Sequence, residues 1–296
     1  MAAWRDGHAP DGERPLRDRL PAGDPGASVT ASTSQLTPAS DGAEILGRFR
    51  NIRQVFAGGG AEPLVAIEDI SFDLVKGSLV SLLGPSGCGK TTLLKIVAGL
   101  NRATSGLVEV RGQKVTGPHQ DFGFVFQQPN LMPWRRVLAN VLFPMEISGR
   151  NDVKAARQAR ELLALTGLSE FENFYPAQLS GGMQQRVALC RALVHQPTLL
   201  LMDEPFGALD ELTRMEMHDL LLKIRATTGT TVMFVTHSIS EAVYLSDVVV
   251  VFSKRPARIA DYIEVDIAYP RSPETRYSNS FTAFQHRAGR ALGVTR

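Results

Sequence analysis

The run Gly84-Pro85-Ser86-Gly87-Cys88-Gly89-Lys90-Thr91-Thr92 constrains this chain more than any other feature. It follows the apolar stretch Leu79–Leu83 and opens a helical pattern, the setting a phosphate-binding loop requires. Its glycines let the backbone wrap an anion that side chains would obstruct. Free N–H groups at the helix start then point at phosphate oxygens. Lys90 is placed to neutralise the β- and γ-phosphates of a nucleotide, and Thr91 to offer its hydroxyl to Mg²⁺. A Gly-rich turn accounts for one or two of the glycines, but not for Gly-Lys-Thr at this offset.

Bulk properties narrow the setting. The 296 residues are 44% hydrophobic and 21% charged, near the globular average. A net charge of +2 lacks the basic bias of a nucleic-acid binder. No apolar run approaches the roughly 18 residues of a spanning helix, so an association with a membrane requires a partner. The N-terminus has no basic start followed by an apolar stretch, and no secretory signal is expected. Two cysteines, Cys88 and Cys190, form no disulfide framework and fit a reducing cytosol. Residues 1–43, crowded with Gly, Pro, Ser, Thr, Asp and Arg, read as a disordered tail.

From Ala43 onward β-type runs alternate with helical patterns. Strands are expected at 64–74, 79–83, 122–126, 199–202 and 231–235. Helices are expected at 90–100, 182–195 and 211–228, with a mainly helical stretch over 135–167 broken near Ser148-Gly149. Such alternation implies a mainly parallel sheet covered by helices. No internal repeat is evident, so the chain reads as one nucleotide-binding unit.

The strand Leu199-Leu200-Leu201-Met202 ends in Asp203-Glu204-Pro205. A buried parallel strand delivers its C-terminal end to the ligand crevice. Asp203 is placed to hold the Mg²⁺ shell, and Glu204 to orient or deprotonate the attacking water. On its own Asp-Glu-Pro is a solvated turn; with the loop at 84–92 it reads as catalytic.

Upstream, Leu179-Ser180-Gly181-Gly182-Met183-Gln184-Gln185-Arg186 resembles the signature sequence of ABC ATPases, in which Ser180 and the glycines open a helix and make a second anion site. Gln127 resembles that family's glutamine loop, Ala208-Leu209-Asp210 its D-loop, and His237 its switch histidine. Six elements in one order carry the resemblance, over residues 45–265.

The resemblance implies an α/β P-loop NTPase (ABC ATPase) with a RecA-like core, a helical subdomain at about 128–184 and an antiparallel β subdomain. The cassette would span 44–265, followed by a short C-terminal extension at 266–296. It implies ATP and Mg²⁺ as ligands and a head-to-tail pair of subunits. Lys90 and Thr91 would then act with Ser180, Gly181 and Gly182 of the partner copy, and Asp210 across the interface. His237 would contact the γ-phosphate, and Gln127 would sense Mg²⁺ and water. Adenine would stack on an aromatic upstream of the loop. Phe56 is the candidate, although Gly58-Gly59-Gly60 lengthen the usual spacing and a packed Phe competes.

Within the family the chain is similar to importer ATPases of the nitrate, sulfonate and taurine group. The similarity lies in Phe126-Gln127-Gln128-Pro129-Asn130-Leu131-Met132-Pro133-Trp134, in Thr236-His237-Ser238-Ile239-Ser240-Glu241-Ala242-Val243 and in Ser253-Lys254-Arg255-Pro256-Ala257-Arg258-Ile259. Relatives with similar phrases serve pyrimidine-type or vitamin-precursor uptake, which leaves the cargo open. The implied partners are a second copy, transmembrane permease subunits and, indirectly, an extracytoplasmic solute-binding protein, with the chain peripheral at the cytoplasmic face of the inner membrane.

Leu131, Met132 and Trp134 are expected to form an exposed apolar cluster that receives a permease helix, with internal packing as the competing reading. Cys88 reads either as a thiolate favoured by Lys90 or as a small residue that fits the turn. Three other functions are disfavoured. A repair or translation ABC ATPase would carry two cassettes or a coiled-coil insertion. A soluble kinase would not need residues 179–186. A silent scaffold would not need Lys90, Asp203, Glu204 and His237 together.

Overall fold

The computed structural model describes residues 43–57 and 62–294. The expected tail, apart from Ala43, and Gly58-Gly59-Gly60 lie outside the described residues. A ten-stranded sheet organises the rest, in the order β5-β4-β1-β2-β10-β9-β3-β8-β7-β6. Five strands form its parallel part: β3 (Leu79–Leu83), β6 (Phe122–Val125), β7 (Leu199–Asp203), β8 (Thr231–Thr236) and β9 (Val248–Phe252). β3 and β8 are buried along their whole length, as strands covered on both faces must be. Successive side chains alternate between two cores. Leu79, Leu83, Val232 and Phe234 enter one, while Val80, Leu82, Met233 and Val235 enter the other.

The antiparallel part consists of β1 (Ile45–Phe56), β2 (Leu64–Val75), β4 (Ser105–Val110) and the short β5 (Gln113–Lys114). β10 (Ala257–Glu264) joins the two parts. It pairs antiparallel with β9 and meets β2 in parallel through Ala257 and Arg258. The expected α/β class and antiparallel portion are therefore both present.

The first six helices follow the expected pattern with differences at several ends, and the last of them, after β8, was not expected. α1 (Lys90–Val97) stops short of the expected Leu100. The backbone turns left-handed at Gly99 (φ +72°), where a Cβ would come within 2.0 Å of the Gly117 carbonyl oxygen. α2 (Val137–Ile147) and α3 (Val153–Leu165) flank the break at Ser148-Gly149, and α4 (Gly181–Leu193) continues through the boundary expected near 184. α5 (Glu211–Thr228) has the expected bounds and α6 (Ile239–Leu245) follows β8.

The C-terminal extension is part of the packed body. Its helix α7 (Asn279–Ala291) buries Phe281 and Ala288 in the core that also holds Tyr244 and Leu245 of α6. Buried Arg271 fastens this segment. Its guanidinium donates to the carbonyls of Val243, Tyr244 and Ser246 at 2.8–3.0 Å, and to Ile267 on its own side. The Val243 and Tyr244 carbonyls, in the last turn of α6, have no partner within the helix, so Arg271 satisfies the end of the helix that follows His237. Arg271→Met, which keeps the bulk and removes the donors, is expected to cost about 2–3 kcal/mol in urea unfolding. A loss below about 0.5 kcal/mol would show that water replaces the guanidinium there.

Candidate functional site

Three adjacent parallel strands end at one edge of the sheet. Leu83 of β3 lies opposite Thr236 of β8, and Val235 lies opposite Asp203 of β7. The loop 84–89, the pair Asp203-Glu204 and His237 therefore leave the sheet side by side, with Gln127 emerging after β6. This is where an open parallel sheet presents its ligand crevice. A cleft of about 380 Å³ opens there. Its walls are Phe56, Leu64, Ala66, Ser86, Gly87, Gly89, Lys90, Thr91, Thr92, Gln127, Asp203, Glu204 and Arg255.

The loop's glycines are needed for close packing. A Cβ on Gly84 would stand 3.0 Å from both the Cys88 Sγ and the Phe252 Cβ. Gly87 and Gly89 have φ of +73° and +113°, which side-chain-bearing residues rarely adopt. Pro85 supplies a carbonyl that, with that of Gly84, accepts from the Lys90 ammonium at 2.9 and 2.8 Å. Lys90 is 4% exposed, so its charge is held inside the curl of the loop.

The Thr91 hydroxyl donates to Asp203 Oδ1 at 2.6 Å. Burial raises the Asp203 carboxyl above its usual range, and the Thr91 hydrogen bond and Lys95 offset part of that rise. A carboxylate whose ionisation is penalised by burial gains from a nearby cation. The adjacent hydroxyl and carboxylate oxygens are hard ligands of the kind Mg²⁺ takes together with phosphate. The residues present fit that ion.

Glu204 takes a left-handed backbone, φ +45°, which is rare for a residue with a Cβ. Its N–H is held by the Val235 carbonyl at 3.1 Å. One carboxylate oxygen meets His237 Nδ1 at 3.1 Å and the other faces Lys90 Nζ at 4.0 Å. A carboxylate held between a histidine and a buried lysine, on the wall of a cleft, is positioned to act on a water molecule there.

Phe56 closes β1 at the rim of this cleft, 40% exposed beside Leu64. Gln127 is exposed and lines the same cleft. It is positioned by α4, whose buried Gln185 donates to the Phe126 carbonyl and whose Arg191 donates to the carbonyls of Pro129 and Asn130.

Ser180, Gly181, Gly182 and Asp210 are not among the walls of this cleft. Ser180 caps α4, accepting from the Met183 N–H at 3.3 Å, and Gly181 faces open space. Gly182 has a packing role: a Cβ there would come within 2.5 Å of Thr213 Cγ2 on α5. Asp210 caps α5 by accepting from Thr213 N–H at 3.0 Å, and this hydrogen bond holds its carboxyl below the usual range.

One sequence expectation needs correction, and burial favours one of the two readings of Cys88. Burial, at 2% exposure, pushes the Cys88 thiol up and outweighs the field of Lys90, so the thiolate reading fails and the small-residue reading stands. Leu131 packs against the core and Met132 is half-buried, leaving Trp134, 74% exposed, as the one fully exposed member of the expected cluster. Buried Asn140 explains the arrangement. It bonds both backbone groups of Met132 and the carbonyls of Arg135 and Arg136, so the loop folds inward around Met132 and projects Trp134.

A buried polar network behind His237 escaped the sequence reading. Thr236 Oγ1 and His218 Nε2 both bond the Glu241 carboxylate, and Arg276 from the C-terminal segment donates to His218 Nδ1 at 3.1 Å. Arginine can only donate, so Nδ1 accepts and the His218 proton sits on Nε2, facing Glu241. Arg214 faces the same carboxylate at 3.9 Å while donating to the carbonyls of Phe206 and Leu209. The strand end before His237 and the loop before Asp210 thus share one brace.

Residues 67–207 match the family described as ABC transporter. An uncharacterized ABC transporter ATP-binding protein of Methanocaldococcus jannaschii is 47% identical over 224 residues, covering 76% of this chain and 84% of that protein. The taurine import ATP-binding protein TauB of Pelagibacter ubique is 47% identical over 210 residues, 71% of this chain and 79% of the relative. The aliphatic sulfonates import ATP-binding protein SsuB of Bacillus anthracis is 44% identical over 206 residues, 70% and 81% respectively. Among solved structures, the dimeric post-hydrolysis state of the ATP-binding cassette MJ0796 bound to ADP and Pi is similar at a TM-score of 0.64 and 31% identity. It covers 75% of this chain and all of that one.

Proposed function

The chain belongs to the ABC transporter family and is one of its ATPases, and from that premise we propose that it works as a dimer with itself, driving uptake of a small solute through a separate permease. The observation that carries this reading is the division of the site. Lys90, Thr91, Asp203, Glu204 and His237 converge on one cleft, while the helix start at Ser180-Gly181 lies outside its walls with open space before it. A second copy placed head to tail supplies Ser180 and Gly181 to the exposed side of the bound triphosphate. The dimeric ADP- and Pi-bound cassette among the similar structures supports this arrangement.

On this reading Phe56 stacks on adenine, and the loop N–H groups from Ser86 to Thr92, with Lys90, hold the phosphates. Thr91 and Asp203, with Gln127 nearby, would hold Mg²⁺, which would supply charge neutralisation at the phosphate oxygens. Glu204 orients the attacking water and takes its proton, while His237 fixes the carboxylate and meets the γ-phosphate. Asp210 holds the start of α5 at the seam between copies. Residues of about 128–184 act as the helical subdomain that carries Ser180 towards the partner.

The solute belongs to the sulfonate, taurine, nitrate or pyrimidine-like class, in line with relatives named for taurine and aliphatic sulfonates. Cargo selection falls to the permease and an extracytoplasmic binding protein. The chain itself sits at the cytoplasmic face of the inner membrane.

Trp134 is the contact to the permease. A lone indole, projected from a loop that Asn140 pins, suits a groove for a short membrane-subunit helix. In source cells expressing tagged full-length chain, Trp134→Glu is expected to move most of the protein from the membrane fraction to the soluble fraction, with ATP affinity unchanged. Undiminished sedimentation with membranes would defeat the permease assignment.

A further inference from the structure

The proposed ATP site leaves one wall of the cleft without a role. That wall is Arg255, carried by the tip of the β9–β10 hairpin, residues 253–257, which packs against the phosphate loop at every loop glycine with φ above zero. The Gly89 Cβ position faces Ala257 at 3.6 Å, and that of Gly87 faces the Arg255 guanidinium at 3.2 Å. Gly84 meets Phe252, the last residue of β9, at 3.0 Å. The tip is locked by its own hydrogen bonds. Ser253 N–H donates to the Arg258 carbonyl at 2.9 Å, and Ser253 Oγ accepts from Arg258 N–H at 3.0 Å while donating to Lys254 and Pro256 carbonyls.

Arg255 projects from this rigid tip. Its Nε and Nη2 donate to the Gly87 carbonyl, which fixes the guanidinium at the mouth of the loop. A guanidinium carries five N–H donors, and the two bonds to Gly87 leave the others uncommitted. Among the described residues no carboxylate pairs with Arg255, whereas its neighbour Arg258 is paired with Glu68 at 2.7 Å. Lys90, the other cation on the cleft wall, points into the loop. Arg255, bonded to the Gly87 carbonyl, is exposed and lines the same cleft as Phe56, Ser86 and Lys90.

We propose that Arg255 is a second phosphate-binding cation of this site, gripping the nucleotide's polyphosphate from the hairpin side while Lys90 holds it from within the loop. The inference rests on the reading of the cleft as an ATP site. A fixed guanidinium with free donors beside a polyanion forms charge-assisted hydrogen bonds without first paying to order its side chain. Because Arg255 also braces Gly87, the two roles must be separated by charge. Arg255→Gln retains a donor for the Gly87 carbonyl and carries no charge, whereas Arg255→Lys retains the charge.

Titration of the full chain with ATP and with adenosine, for wild type and both variants, provides the test. ATP affinity is expected to fall about 10-fold in Arg255→Gln, to stay within about 3-fold of wild type in Arg255→Lys, and adenosine affinity to stay constant in both. The salt dependence of ATP binding should also flatten in Arg255→Gln, as one cation is removed. Wild-type ATP affinity in Arg255→Gln, or an equal loss for adenosine, would overturn the proposal and leave Arg255 as a brace. A wild-type chain that binds no ATP would instead refute the reading of the cleft itself, and this inference with it.

Discussion

Replacing Glu204 with glutamine is expected to lower steady-state ATP hydrolysis by at least about 100-fold, or about 2.7 kcal/mol in the barrier, while nucleotide binding persists. The substitution is isosteric, so the left-handed backbone at φ +45° and the contact to His237 can both be kept, the amide oxygen still accepting from Nδ1. What is lost is the group that can take a proton from water. Removing a negative charge 4.0 Å from Lys90 also leaves the cleft more positive, which favours a triphosphate rather than opposing it. Binding without turnover then lets the composite site close and stay closed. Light scattering of Glu204→Gln with Mg–ATP should give a dimer mass, and with ADP a monomer mass. Turnover equal to wild type would remove Glu204 from the reaction.

Lys90→Ala is expected to weaken ATP binding by about 100-fold or more, the larger loss at the level of affinity. The ammonium is 4% exposed and bonded to the carbonyls of Gly84 and Pro85, so it closes the loop before any ligand arrives. Its removal deletes the charge that meets the phosphates and leaves the two carbonyls without their donor. Lys90→Met, which fills the same volume, separates these effects. Both variants should lose ATP affinity alike, while Met should retain more of the wild-type melting temperature. Competition against a fluorescent ATP analogue measures the first and thermal unfolding the second. An affinity within about 3-fold of wild type in both variants would mean that Lys90 serves only to hold the loop shut.

These two residues were legible from sequence because each belongs to a motif whose chemistry depends on local spacing. A strand, a Gly-rich turn and a helix start are all set within about ten residues, so Lys90 and Thr91 can be read from the order of residue types. The same holds for Asp203 and Glu204 at the end of an apolar strand, and for Ser180 at the opening of a helix. Gly182 carries a further constraint that sequence does not reveal. Its lack of a side chain is required by Thr213, which lies on another helix and is visible only after folding.

Long-range contacts decided the remainder. Sequence leaves Cys88 open between an activated thiol and a small residue that fits the turn; the packing of Phe252 and the loop buries it, and desolvation of the charged form outweighs the nearby cation. Leu131 and Met132 look exposed until Asn140 turns their loop inward. The C-terminal segment carries a helical apolar spacing at Phe281, Phe284, Ala288 and Ala291, yet only tertiary structure shows Arg271 and Arg276 tying it to the elements around His237.

Sequence by itself determined the glycine-rich turn between β3 and α1, the paired carboxylates at the end of β7 and their order along the chain, because strand-to-turn-to-helix geometry is encoded in neighbouring residues. Tertiary structure alone decided which strand ends stand together, how Glu204 is turned towards His237, and that Arg255 reaches the cleft 168 residues beyond Gly87. The physical reason is that burial and pairing depend on residues brought close by the sheet. A side chain's exposure and electrostatic surroundings are set by neighbours that its sequence position does not reveal.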